Sequence, residues 1–263
     1  MTDGITQFHA DGFDVWCLQD GTATFEPEIF PGLSHDEQIS RLEAAGETEI
    51  RTAFNAYLIV GPDQDLTLVD TGCGSHFGVN GGGLAGQLQA LDVAPEKISR
   101  LVFTHLHTDH CGGAVVDGKP VFPNAQVFVH PAERAYWAEE DAPAQEVLAA
   151  YASQTSEVGG GEEIAASLST WALPGHTPGH MGLRVGTSLV IVADVMHAQH
   201  LQLGEPRLCP VYDMDPAQAT DSRLEALREI AGSGLTFAGC HLLAPTKFAK
   251  LAEVGDGFVL IAP

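Results

Sequence analysis

Apolar residues along this chain fall into short runs of strand-forming side chains, separated by glycines, prolines and polar turn residues. Such runs at residues 15–18, 56–60, 66–69 and 101–103 predict strands, and further ones follow at 127–129, 170–173, 183–185, 189–192 and 258–260. Helical patterns lie between them. One opens at Asp215-Pro216-Ala217-Gln218, with Asp as N-cap, Pro at the first helical position and Gln at the capping-box site. Interleaved strands and helices over 263 residues predict a single α/β domain covering 1–263, with no sequence repeat, low-complexity segment or interdomain linker.

Two segments stand outside that alternation. Residues 25–52 carry few strand signals, with Pro27, Pro31 and Gly32 ahead of a polar helical stretch. Residues 139–163 are acidic and contain Gly159-Gly160-Gly161. Each can form a lid, a dimer contact or a solvated surface loop, the last being the default for such compositions.

Charge narrows the partners. Twelve Lys and Arg against 35 Asp and Glu leave a formal net charge of −23. Nucleic-acid affinity rests on cations that neutralise phosphates, so this balance disfavours nucleic acid, and it weakens the case for anionic membranes or acidic substrates. The plainer alternative is general solubility. No apolar run is long enough to cross a bilayer, and residues 1–7 lack the basic start and apolar stretch of a secretory signal. Five cysteines without framework spacing point to a reducing compartment, hence a cytoplasmic location.

The densest chemistry is Thr104-His105-Leu106-His107-Thr108-Asp109-His110, which places four metal-type ligands in six residues directly after a predicted strand. His105 and His107, two apart, point the same way if strand geometry continues, and can share one ion. Asp109 and His110 follow the turn and suit a second ion. Gly112-Gly113 then allows close backbone passage without a Cβ clash.

This pattern resembles the His-x-His-x-Asp-His signature of the metallo-β-lactamase-fold hydrolase superfamily. Further motifs agree in order: Asp70-Thr71-Gly72 after an apolar run, Pro174-Gly175-His176, an apolar strand ending in Asp194, and Phe237-Ala238-Gly239-Cys240-His241. The resemblance implies an αββα sandwich with two divalent metal ions. One would sit on His105, His107 and His176, the other on Asp109, His110 and His241. Asp194 would bridge them, and Asp70 would support the ligands from behind. Imidazole and carboxylate ligands suit zinc first, with iron, cobalt or manganese as alternatives. Water between two such cations loses a proton near neutral pH, so a bridging hydroxide is the expected nucleophile, with Asp109 and Asp194 in the catalytic set. Cys111 and Cys240 neighbour the ligands but match no family ligand position, which assigns them to packing, and His180 is assigned a structural place.

Within the superfamily, Asp194 disfavours zinc β-lactamases, which generally lack a bridging carboxylate. Glyoxalase II is disfavoured because Lys247 and Lys250 are the only cations after His241. The flanking residues resemble the branch holding methyl parathion hydrolase and quorum-quenching lactonases. Lactonases there commonly place a Tyr three residues after the bridging Asp. Here His197 stands in that position, either as a substrate-contacting replacement or as a satisfied buried histidine. Phe77 and Trp137 match pocket aromatics of the same branch, with ordinary core as the alternative. The resemblance thus implies a hydrolase of a small lactone, carboxyl ester or neutral organophosphate, and a homodimer. A non-catalytic metal- and ligand-binding sensor is the alternative of a different class.

Overall fold

The computed structural model describes residues 4–140 and 142–263, so the expectation for the N-terminal stretch falls partly on residues 1–3, outside the described residues. In chain order, the first sheet takes β1 (Ile5–Ala10), β2 (Phe13–Phe25), β3 (Ile50–Val60), β4 (Leu66–Val69) and β5 (Arg100–Val102). A small separate hairpin of β6 (Val115–Val116) and β7 (Lys119–Pro120) follows, and β8 (Gln126–Val129) and β9 (Thr155–Glu157) then complete that sheet. The second sheet is β10 (Glu163–Ala165), β11 (Leu168–Ala172), β12 (Met181–Val185), β13 (Leu189–Ile191) and β14 (Thr236–Ala238). A hairpin of β15 (Lys250–Val254) and β16 (Gly257–Ile261) follows. The helices are α1 (His35–Ala44), α2 (Leu84–Ala90), α3 (Thr108–Cys111), α4 (Pro131–Trp137), α5 (Pro143–Ala150), α6 (Gln199–Gln202) and α7 (Pro216–Ser233).

The period-2 alternation of β3 shows how the layers form. Tyr57 and Ile59 face the second sheet, meeting Met181, Leu183, Val185 and Ile191, while Ala56 and Leu58 face α2 and α5 through Leu84, Leu88, Ala144 and Val147. On the far side, Val190 and Phe237 pack under Ala226, Leu227 and Ile230 of α7. The order is therefore helix, sheet, sheet, helix, the expected αββα sandwich. Burying each such Leu, Ile or Val contributes about 1.5–3 kcal/mol. The start of α7 follows its sequence signal: Asp215 Oδ1 accepts from the Gln218 amide at 3.0 Å, and Gly234 closes the helix at φ +68°.

Residues 139–163 are scaffold rather than a solvated loop. They supply α5 and β9, the edge strand of the first sheet, and Asp141 lies outside the described residues. Ala144, Val147 and Tyr151 are buried, and the Tyr151 hydroxyl donates to Ala114 O and accepts from the Phe122 amide. The 25–52 segment has a small core of its own. Phe30, Leu42 and Ile50 pack on Ala198, Leu201 and Leu208. The buried Gln38 amide donates to the carbonyls of Pro27, Phe30 and Leu33 and so closes the turn beneath α1.

The parallel neighbours β4 and β5 end side by side, as do the parallel neighbours β13 and β14. The loops leaving these ends, with the β11–β12 connection that holds His176, carry the metal-type residues, and they meet where the two sheets face each other. No described helix is long and apolar enough to cross a membrane.

Candidate metal centre

Asp70 follows β4 in a left-handed backbone conformation, φ +61°. Its carboxylate accepts from the Thr104 amide and the Thr104 hydroxyl, both at 2.8 Å, and from His110 Nδ1 at 2.8 Å. It thus ties the end of β4 to the loop after β5 and sets the ring of His110. His107 is the N-cap residue of the one-turn α3, which carries Asp109 and His110 around the corner from His105. The glycines behave as the sequence implies. A Cβ on Gly112 would lie 2.5 Å from Cys73 O, and one on Gly113 would lie 2.1 Å from Thr71 O.

Seven side chains converge. His105 Nε2, His107 Nδ1 and His176 Nε2 form one group, with His107 Nδ1 3.0 Å from His105 and 2.9 Å from His176. Asp109, His110 and His241 form a second group, with the Cys240 thiol inside it. Asp194 lies between them. Its Oδ1 is 3.1 Å from His110 Nε2, and its Oδ2 is 3.0 Å from His241, 3.4 Å from His176 and 3.7 Å from His105.

This donor set fits divalent ions. His110 gives Nδ1–H to Asp70, His176 gives it to Asp213 at 3.0 Å, and His241 gives it to Ala53 O at 2.9 Å. Each ring is thereby held in the tautomer that turns the Nε2 lone pair inward, the usual arrangement behind metal-binding histidines. His110 Nε2 and Asp194 Oδ1 are buried and make no well-formed hydrogen bond despite their proximity. His107 Nδ1 thus lies 3.0 and 2.9 Å from the other two ring nitrogens, approaching the spacing of about 3.3 Å expected for ligands at about 2.0–2.1 Å from a tetrahedral zinc.

Electrostatics agree for His105 and His176, whereas for His110 and His241 burial is outweighed by neighbouring carboxylates, and each would exchange a proton for an ion. Burial holds His105 and His176 well below the ordinary imidazole value, leaving them neutral. For His110 burial acts downward, but the carboxylate of Asp194 opposes it and lifts the ring well above that value. Burial alone would raise Asp194, whereas His110, His241 and His105 hold it well below the usual carboxylate range. Burial pushes the Cys240 thiol up to about 12, in keeping with a neutral packing residue.

A cavity of about 220 Å³ opens over these groups, lined on its other side by Phe25, Phe54, Phe77 and Tyr212. Phe77 is on the wall, with its ring 5.4 Å from Phe54. Trp137 does not line the cavity. It stands behind His107, ring centroids 5.4 Å apart, and donates Nε1–H to Glu133 at 2.7 Å. The pocket role expected for Trp137 is therefore corrected to a core one, because its indole nitrogen is anchored to a buried carboxylate. His197 does line the cavity. It is buried, with Nε2 3.3 Å from Asp194 Oδ2 and Nδ1 unpartnered. His180 is structural: Nδ1 donates to Leu173 O, and Nε2 accepts from the Asp194 amide.

Several supports are not marked in the sequence. Glu133, fully buried, accepts from the Leu106 amide between two ligand histidines and from the Gly179 amide in the His176 loop. Asn55 and Lys247 hold the loop of His241: Asn55 Nδ2 donates to Cys240 O at 2.6 Å, and Lys247 Nζ donates to Leu242 O at 2.7 Å. Asp213 orients His176. The only local signal for it is its place in the Asp213-Met214-Asp215 run.

Asp213 also makes a testable acid-stability contribution. Burial would raise its carboxyl, but the hydrogen bond from His176 and the charge of Arg223 bring it down to about 2, from 3.8. A depressed carboxylate stabilises the fold fully above the unfolded value and loses that contribution as pH falls towards the folded value. Metal-free wild type should therefore exceed Asp213→Asn by about 2 kcal/mol from this source at neutral pH. That share of the gap should close between pH 4 and 2, as measured by denaturant titration. A gap independent of pH would remove the carboxylate from acid stability.

Residues 52–233 match the family model described as the metallo-beta-lactamase superfamily. Among solved structures, the chain is similar to the hydrolase AbOPH in the beta lactamase superfamily, at 26% identity and TM-score 0.92 over 100% of this chain and 98% of that one. It is similar in fold to AidC, a dizinc quorum-quenching lactonase in complex with a product, at 24% identity and TM-score 0.92 over 99% and 97%. A probable metal-dependent hydrolase from Staphylococcus aureus follows at 17% identity and TM-score 0.81 over 97% and 99%. No curated protein sequence matches the chain. The match spans Asp70, the 105–110 loop, His176 and Asp194, with His241 just beyond its end, and the chain belongs to the metallo-beta-lactamase superfamily.

Proposed function

We propose that this protein is a dinuclear metallohydrolase of lactones or carboxyl esters, with neutral organophosphates as further substrates. His105, His107 and His176 would hold one ion, Asp109, His110 and His241 would hold the other, and Asp194 would serve both. The observation that carries this reading is Asp194, whose Oδ1 faces His110 while its Oδ2 lies between His241 of the same group and His176 of the other, all from one buried position. When bound, two divalent cations, zinc first among them, polarise an ester or phosphoryl oxygen and make water a competent nucleophile near neutral pH.

The remaining work falls to the chain itself. Phe25, Phe54, Phe77 and Tyr212 offer an apolar wall to an acyl tail or aromatic leaving group and exclude water beside the reacting centre. His197, on the cavity wall, is placed to hold the substrate oxygen or the leaving alkoxide. Among the described residues no Lys or Arg lines the cavity, so a neutral substrate is favoured over an anionic one. Similarity to a hydrolase and to a dizinc lactonase supports the reading. Because organophosphates of this kind are synthetic, a lactone or ester is the native substrate class.

The test is metal content with a substrate panel. Loaded protein should carry two ions per chain by elemental analysis and should turn over lactones or nitrophenyl esters, with paraoxon-type triesters as a third group. Exhaustive chelation should abolish the activity, and re-addition of metal should restore it. A single ion, or two ions with no turnover anywhere on the panel, would defeat the proposal, the second outcome indicating a binding module.

A further inference from the structure

Arg223 is 1% exposed and is one of the largest fully buried side chains among the described residues. It sits on the buried stripe of α7, between Ala219 and Leu227, where an apolar residue would pack without desolvating a charge. All three nitrogens of its guanidinium are engaged. Nε donates to Val195 O at 2.6 Å, Nη1 to Pro206 O and Leu208 O at 3.2 Å each, and Nη2 to Asp213 Oδ2 at 2.9 Å. The other oxygen of Asp213 takes Nδ1–H of His176. Val195 is the residue after Asp194.

One cation therefore reaches the backs of two ligands that lie far apart in sequence. A buried ion pair is an inefficient way to add stability, since desolvation offsets much of the attraction. A planar fork with fixed donor directions is, however, an efficient way to set geometry. Its reach also extends to the 206–213 segment that brings Tyr212 to the cavity wall, so centre and wall share one anchor.

We propose that Arg223 is a positioning residue of the metal centre. Through Asp213 it fixes the ring of His176, and through the Val195 carbonyl it fixes the turn that presents Asp194. The inference rests on the reading that His176 and Asp194 bind ions, and on nothing about the substrate. A lysine would keep the charge but could not serve three segments at once.

The test compares wild type, Arg223→Lys, Asp213→Asn and His176→Ala. Each is titrated with Co²⁺ against a competing chelator and followed by cobalt visible absorption, with circular dichroism reporting the fold. Wild type should bind two ions. Asp213→Asn and Arg223→Lys should stay folded; Arg223→Lys should weaken both ions, since Asp194 serves both, but each variant should weaken one ion most, by about 10–100-fold, the cost usual for losing an outer support of a ligand. That ion should be the one whose spectral signature His176→Ala removes. General loosening would weaken both ions alike, so selectivity separates positioning from a merely structural role. If Arg223→Lys fails to fold, the near-isosteric Asp213→Asn decides the matter. Folded variants that bind both ions as tightly as wild type would overturn the proposal. A wild type that binds fewer than two ions would overturn the ligand assignment first, and this inference with it.

Discussion

Replacing Asp194 with Asn is expected to lower kcat/KM by about 10³-fold or more while the protein still folds, since charge stabilisation of the reacting centre is usually the largest catalytic contribution. Asn preserves the volume and removes only the charge. At this position the loss is severe, because the side chain is 2% exposed and lies within 3.7 Å of the ring nitrogens of His105, His110, His176 and His241. A neutral amide could neither offset two cations nor place an anionic oxygen towards each ligand group. Metal content should fall with activity, whereas the far-ultraviolet dichroism should hold, since the sheets rest on the apolar layers. Elemental analysis and steady-state kinetics on the same sample check both. Full activity in the variant would exclude Asp194 from the mechanism.

Two aromatic substitutions should part company. Trp137→Ala is expected to cost about 3–5 kcal/mol of stability, the range for deleting a large buried aromatic. It opens a void beside His107 and leaves the Glu133 carboxylate without its indole donor. Its effect on preference along an acyl-chain series should be small, because the indole does not reach the cavity. Phe77→Ala, at a wall residue 39% exposed, should cost little stability and flatten that preference. In wild type each methylene buried on the wall is worth up to about fourfold in kcat/KM. Thermal melts with a chain-length series for both variants would check this. A flattened slope in Trp137→Ala with wild-type stability would place the indole back in the pocket.

The centre is more legible in the sequence than its supports, for a physical reason. Metal ligation demands particular side chains, and His105 to His110 pack four of them on one short loop, so local spacing carries the chemistry. Asp213 and Glu133 act across 37 and 46 residues, on His176 and Gly179. Locally Glu133 is only an acidic residue in the first turn of α4, a common and usually solvated choice. Arg223 reads as a cation on an amphipathic helix, and only packing reveals that it points inward. The strands are visible because β2 alternates buried and half-buried positions, whereas β3 and β13 are buried on both faces and read as continuous apolar runs. The 139–163 segment is misjudged as a loop because its acidic, glycine-rich composition hides Ala144, Val147 and Tyr151, whose spacing makes sense only against the first sheet.

The two ligand groups straddle a seam: β4 and β5 of one sheet deliver Asp70 and the 105–110 loop, while β13 and β14 of the other deliver Asp194 and His241. Ions gripped across that seam would recognise only the docked pair of sheets and would act as rivets. Free metal at a thousand times its dissociation constant would add about 4 kcal/mol to the closed state for each such site. Cellular metal supply would then set how long the molecule survives proteases, as well as whether it turns over substrate. Starvation for metal would be felt as shortened lifetime, with the sheets parting first along the very line where the chemistry takes place.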